Sequence, residues 1–199
     1  MPAPGKKQLI LASASPRRRD ILARTGLEFL VVPSDYEEKL RPGVPPRELA
    51  KELARGKAEA VARGRTGAVV IGADTFIVLD GELLGKPRTP DRAAAMLSAL
   101  SGRAHSVITG FAVIDADSGR IAADAVETRV WFRQLDAAEI SSYVQSGEPL
   151  DKAGAYAIQG LGGRLIEKIE GDRLNVVGLP LAALCGRLRE FGIDARPPG

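Results

Sequence analysis

Leu9-Ile10-Leu11-Ala12 runs straight into Ser13-Ala14-Ser15-Pro16-Arg17-Arg18-Arg19, an apolar strand that gives way to two serines, a proline and three arginines. This order suits the binding of an anion such as a phosphate group. Ser15 is a good N-cap, and Pro16 fits the first helical position, where its missing N–H costs nothing. The start of a helix offers free N–H groups and a partial positive charge, to which the arginines add formal charge. Cations at that end oppose the helix dipole, so they need another reason to be there. Successive helical residues point about 100° apart, so only one or two of the three can face one ligand. The other reading is a solvated basic first turn, and the segment by itself supports both equally.

Asp74 is the second group able to do chemistry. It interrupts the apolar run Ala68-Val69-Val70-Ile71-Gly72-Ala73-Asp74-Thr75-Phe76-Ile77-Val78-Leu79. A carboxylate inside such a run sits at a strand end, or is buried at a cost of several kcal/mol unless a cation or hydrogen bonds compensate. An Asp in a turn or β-bulge is the alternative, weakened because the apolar run resumes at once. Lys86, in Gly85-Lys86-Pro87, is a candidate cation, although a lysine before a proline is usually solvated. Glu37, Glu38 and Lys57 form a third group. Glu38 falls in a loop of the kind that supplies metal-binding carboxylates. Lys57 falls in a helical stretch beside Lys51 and Arg55. Judged on their surroundings alone, Glu38 and Lys57 read as surface residues. Ala157-Ile158-Gln159-Gly160-Leu161-Gly162-Gly163 reads equally as a plain turn or as backbone able to approach a ligand, with Gln159 offering donor and acceptor.

Other chemistries fail on spacing. Gly81-Glu82-Leu83-Leu84-Gly85-Lys86-Pro87 has one residue too few between its glycines for a Walker A loop, and Pro87 stands where a Ser or Thr would hold Mg²⁺. Gly160-Leu161-Gly162-Gly163-Arg164-Leu165 lacks the last glycine of a dinucleotide fingerprint. The single histidine, His105, has no histidine or cysteine partner for zinc, and no G-x-S-x-G elbow offers a serine nucleophile. Cys185 shares an apolar helical stripe with Leu181, Leu184 and Leu188, which marks it as core. Aromatics at 5% are too few for a base-stacking platform. What remains is carboxylates, basic side chains and a hard, oxygen-loving ion, a set suited to phosphate-ester or phosphoanhydride hydrolysis.

The elements that must position these groups alternate. Strands are predicted at Leu9 to Ala12, Phe29 to Val32, Ala68 to Leu79, Ser106 to Asp115, Ala122 to Arg133 and Arg164 to Ile169. Helices are predicted at Arg17 to Thr25, Arg47 to Arg63, Asp91 to Leu100, Asp136 to Val144 and Pro180 to Phe191. Asp80-Gly81 reads as a hairpin turn. The pattern gives an α/β fold with a mixed, largely antiparallel sheet and flanking helices. At 199 residues, 45% apolar and 27% charged, the chain is expected to hold one domain over 9–193 between flexible ends at 1–8 and 194–199. The net charge of +3 admits an anionic ligand but is too small for a nucleic-acid coat. One cysteine excludes an internal disulfide and fits a reducing cytoplasm. The opening residues lack the apolar core of a signal peptide, and no run of about 18 apolar residues spans a membrane. A soluble, cytoplasmic protein is expected.

Six blocks stand in order along the chain: Ser13-Ala14-Ser15-Pro16-Arg17-Arg18, Gly72-Ala73-Asp74-Thr75, Gly85-Lys86-Pro87, Leu100-Ser101-Gly102-Arg103-Ala104-His105-Ser106-Val107, Asp151-Lys152-Ala153-Gly154-Ala155-Tyr156-Ala157-Ile158-Gln159-Gly160 and Val177-Gly178-Leu179-Pro180-Leu181. Together they resemble the Maf family of nucleoside triphosphate pyrophosphatases. Each is weak alone, but the ordered set is specific and covers nearly the whole chain. The resemblance implies an inosine-triphosphate-pyrophosphatase-like fold with two lobes around a cleft. It also implies hydrolysis of a nucleoside triphosphate to the monophosphate and pyrophosphate, supported by Mg²⁺ or Mn²⁺.

Carried over by position, the resemblance makes Asp74 the essential acid, which either orients or deprotonates the attacking water or, with Glu38, ligates the metal that does so. Ser13, Arg18, Lys57 and Lys86 become substrate-binding residues. Arg17, Thr75 and Gln159 match the group acting on dTTP and UTP. Relatives acting on 7-methylguanosine triphosphate differ at all three. Uracil and thymine share a hydrogen-bonding edge that an amide such as Gln159 can read, whereas cytosine reverses its polarity. Ala14, where glycine is common, and Asp172-Arg173-Leu174-Asn175 depart from the pattern without touching the chemistry. The implied partner is the nucleotide, with neither nucleic acid nor membrane, and a homodimer is admitted. Two rivals stand beside the enzyme: a non-catalytic nucleotide-binding protein acting in cell division, and a nucleic-acid binder using Arg17 to Arg19, which predicts steeply salt-sensitive binding.

Overall fold

In the computed structural model, residues 7–38, 41 and 43–197 are described, so the expected flexible ends fall partly outside them, at 1–6 and 198–199. The strands are β1 (Gln8–Leu11), β2 (Phe29–Val31), β3 (Ala68–Leu79), β4 (Glu82–Leu84), β5 (Ala104–Asp115), β6 (Ile121–Phe132) and β7 (Ile166–Glu170). The helices are α1 (Pro16–Ala23), α2 (Pro46–Ala62), α3 (Pro90–Leu100), α4 (Ala137–Gln145), α5 (Arg173–Val177) and α6 (Leu181–Glu190). Strand order is β2-β1-β3-β5-β6-β7, with β4 paired on β3. β1 runs parallel to β2 and β3, whereas β3–β4 and β6–β7 are antiparallel. This is the mixed, mostly antiparallel sheet with flanking helices expected of the α/β pattern. No helix among the described residues is long and apolar enough to cross a membrane.

Two compact units divide the chain. The first comprises 1–75, 109–126 and 178–199, and the second 76–108 and 127–177. In the first, Ile10, Val70, Ala112 and Ile114 from the strands and Ala12 just past β1 pack with Ala54, Ala58 and Val61 of α2. Cys185 lies fully buried on α6 among Leu181, Leu184 and Leu188. In the second, Ile77, Leu79, Val107, Val130 and Phe132 pack with Leu97 and Leu100 of α3 and with Tyr143 and Tyr156. His105 is buried there, its Nε2 2.7 Å from the Tyr156 hydroxyl and its ring edge-on to Phe132 and Tyr156.

Local chemistry explains the boundaries. Asp136 caps α4 with a reciprocal capping box through Glu139. Asp80 and Gly81 both take positive φ in the β3–β4 hairpin, as a tight primed turn requires. Two segments depart from expectation, one being Arg173–Val177, which forms helix α5 where no helix was predicted. The stretch from Gly160 is not an open loop ahead of a strand at Arg164; Leu161–Leu165 forms a 3-10 turn, and β7 begins only at Ile166.

Candidate functional site

Helix α1 starts as its sequence requires, with the Ser15 hydroxyl accepting from the Arg18 N–H at 3.4 Å. The three arginines then separate. Arg19 turns outward to Asp20. Arg17 is half-buried, and its side chain carries no hydrogen bond or ion pair among the described residues. Arg18 turns inward: its Nε donates to Gly178 O (2.9 Å), Nη1 to Ala73 O (2.8 Å) and Ser13 Oγ (3.4 Å), and Nη2 to Thr75 Oγ1 (3.1 Å). A guanidinium has five N–H donors in a rigid fork. Four are engaged here, so Arg18 braces the Ser13 and Thr75 segments and keeps one N–H for a ligand. Burial lowers its pKa, and the nearby charge of Arg17 adds to that, while Asp74 and Glu38 work against it.

Asp74 stands in the middle of β3, 8% exposed, neither at a strand end nor in a turn. The compensating cation is Lys57, whose Nζ lies 2.7 Å from Asp74 Oδ1 and 2.6 Å from Glu38 Oε1. Lys57 is therefore no surface residue, because only 13% of its side chain is exposed. The sequence held a signal for this. Ala50, Leu53, Ala54, Ala58 and Val61 mark the buried stripe of α2, and Lys57 falls on it at helical spacing. Glu38 keeps half its side chain in solvent, as its loop position suggested.

Two glycines make this contact possible, and sequence reasoning gave neither of them a packing role. A Cβ on Gly72 would lie 2.1 Å from Ala54 O, and one on Gly110 would lie 2.2 Å from Ala50 O. Glycine within a strand marks close approach of another backbone. Here α2 lies on β3 and β5 at that close range. Residues two apart on a strand share a face, so Gly72 admits the helix on the side where Asp74 meets Lys57.

The donor set suits a hard cation. Asp74 Oδ2 is buried without a hydrogen-bond partner among the described residues, and Asp74 and Glu38 already converge on one ammonium. Described residues contain no group of three or more His, Cys, Asp or Glu side chains placed to hold a metal ion. Mg²⁺ needs none, since it commonly takes one or two carboxylates with substrate phosphates and water.

Ser13, Arg18, Glu38, Lys57, Asp74 and Thr75 thus gather in the first unit, where Thr75 Oγ1 also lies 3.0 Å from Thr109 Oγ1. Lys86 and Gln159 belong to the second unit, and both are exposed. Lys86 follows the end of β4, off the sheet as its proline neighbour required.

The model for Maf-like proteins matches residues 8–191. A dTTP/UTP pyrophosphatase of Moorella thermoacetica is 52% identical over 187 residues, covering 94% of this chain and 96% of the relative. Its counterpart in Geotalea uraniireducens is 50% identical over 187 residues with the same coverage. A dTTP/UTP pyrophosphatase of Methanosarcina barkeri is 48% identical over 189 residues, again 94% and 96% of the two chains.

Proposed function

Because the chain belongs to the Maf-like protein family, we propose that it hydrolyses dTTP and UTP to the monophosphate and pyrophosphate. One observation carries the reading: a buried carboxylate, Asp74, holds Lys57 on one oxygen and keeps the other unpaired. Such a pair is costly in a merely structural setting. In an enzyme it supplies a base beside a cation for an anionic substrate. The shared name of the relatives supplies the substrate.

Asp74 orients the attacking water and takes its proton. Lys57, Lys86, Ser13 and the remaining N–H of Arg18 bind phosphate oxygens, and Arg17 adds charge at the open start of α1. Glu38 and Asp74 would hold a divalent cation, Mg²⁺ or Mn²⁺, which when bound would supply positive charge beside the reacting phosphate and the departing pyrophosphate. Gln159 reads the pyrimidine edge, with Thr75 sharing in substrate choice. We place this activity in the cytoplasm.

The deciding experiment offers dTTP, UTP, CTP, GTP and 7-methylguanosine triphosphate with Mg²⁺, in the absence of any other pyrophosphatase. Pyrophosphate released from dTTP and UTP ahead of the others is the expected result. Stepwise release of orthophosphate, or preference for the methylated purine, overturns the assignment.

A further inference from the structure

Glu148 opens the 3-10 turn Glu148–Asp151 just after α4, and the mechanism above leaves it without a role. Its Oε1 accepts from the Tyr143 hydroxyl at 2.8 Å and the Gly162 N–H at 3.0 Å, while Oε2 accepts from the Leu161 N–H at 3.0 Å. Tyr143 in turn accepts from the Ala157 N–H at 3.4 Å. Phenol and carboxylate together therefore tie down backbone on both sides of Gln159.

Missing side chains make room for them. Gly160 has φ +114° and ψ −153°, a region essentially reserved for glycine. A Cβ there would lie 2.6 Å from Glu148 Oε2, and one on Gly162 would lie 2.5 Å from the Tyr143 hydroxyl oxygen. Burial alone would raise the Glu148 carboxyl. The N–H groups of Gly162 and Leu161, with the Tyr143 hydroxyl, overcome it and hold the group below its usual range. Burial and the bond to Glu148 push the Tyr143 hydroxyl upward. Near neutral pH, Glu148 thus stays an acceptor and Tyr143 a donor towards it.

We propose that Glu148, assisted by Tyr143, is the positioning residue of the Gln159 segment and so sets how sharply the enzyme separates uracil from cytosine. The proposal rests on the reading of Gln159 as the base-selecting residue. Gln159 is exposed and has no side-chain hydrogen bond among the described residues, so only its backbone neighbours fix its place. An amide that distinguishes two bases by donor and acceptor polarity must be held to within about 0.5 Å. The carboxylate supplies that constraint.

The test compares wild type with Glu148→Gln, Tyr143→Phe, Gln159→Ala and the double variant Glu148→Gln/Gln159→Ala. Readouts are kcat/KM for UTP and CTP, and hydrogen exchange at the Leu161 and Gly162 amides. Glu148→Gln is expected to lower the UTP/CTP ratio by about 10-fold, the scale of one hydrogen bond to a charged group. It should also speed exchange at both amides and leave the ratio of the Gln159→Ala background unchanged. If Glu148→Gln does not fold, Tyr143→Phe carries the same test with a fall of about threefold. A lowered Tm with an unchanged ratio, where Gln159→Ala does lower it, reduces Glu148 to a structural role and overturns the proposal. If Gln159→Ala itself leaves the ratio intact, the base-selecting reading fails instead. Unaltered exchange at Leu161 and Gly162 in Glu148→Gln removes the brace on either outcome.

Discussion

Gly72 of β3 touches Ala54 of α2 so closely that one added methyl carbon would come within 2.1 Å of the Ala54 carbonyl oxygen. That oxygen belongs to backbone within a helix, so it cannot swing aside as a flexible side chain does. Gly72→Ala must lift α2 from the sheet, and Lys57 rides on α2. Overpacking of this kind costs about 1–3 kcal/mol. The expected result is a lower urea midpoint together with a fall in kcat/KM for UTP. Wild-type activity in a destabilised Gly72→Ala protein would separate the helix seat from the chemistry.

Asp74→Asn is expected to abolish turnover while the fold survives. The amide keeps the shape and an acceptor for Lys57 but cannot take a proton, and it binds a hard cation poorly. Pyrophosphate release from UTP measures the effect, with circular dichroism as the control for folding. Activity above about a tenth of wild type, a barrier change of only about 1.4 kcal/mol, removes Asp74 from the central role.

Gln159→Ala and Arg17→Ala should differ in kind. Loss of a polar contact to the base is worth about 1–3 kcal/mol, so Gln159→Ala lowers the UTP/CTP ratio of kcat/KM about 5- to 150-fold. Arg17 is half-buried with no partner among the described residues, at a helix start suited to phosphate. Its loss should slow every triphosphate alike. Steady-state kinetics with dTTP, UTP, CTP and GTP on both variants distinguishes the two patterns.

His105 gives the fold a pH dependence. Burial lowers its pKa to about 4, whereas the unfolded chain takes up the proton near 6.5. Between those values the unfolded state holds more protons, so stability is complete above about 6.5 and declines as pH falls towards 4. By about pH 5 the loss is about 2 kcal/mol. Urea denaturation at about pH 7.5 and 5 should show it in wild type, and His105→Phe should lose less over the same interval. Equal losses in the two proteins would assign the dependence to other groups.

Much of this was legible from local pattern. The long apolar run around Asp74 specified a buried strand, and the Ser15-Pro16 start specified the beginning of α1. Arg18 was harder to read. The segment admitted one or two of its three arginines to an anion without saying which, and only the folded chain brings Ala73 O, Thr75 and Gly178 O to the Arg18 guanidinium. Lys57 was misread because its charged neighbours at Lys51 and Arg55 suggested a solvated face, although its spacing matched the buried stripe. The brace at Glu148 was not legible at all. Two of its three partners are backbone N–H groups 13 and 14 residues away, and backbone donors leave no trace in residue type.

The lone thiol of Cys185 also has an experimental use. Fully buried on α6, with its pKa raised by burial, it presents no thiolate to solvent while the helix is seated. A thiol reagent can reach it only when α6 leaves its neighbours, so the modification rate reports the opening of the first unit. Because the chain has no second cysteine, that signal has a single source. The wild-type protein therefore carries its own clock for native-state opening, and nucleotides that bind the folded form should slow it in proportion to their affinity.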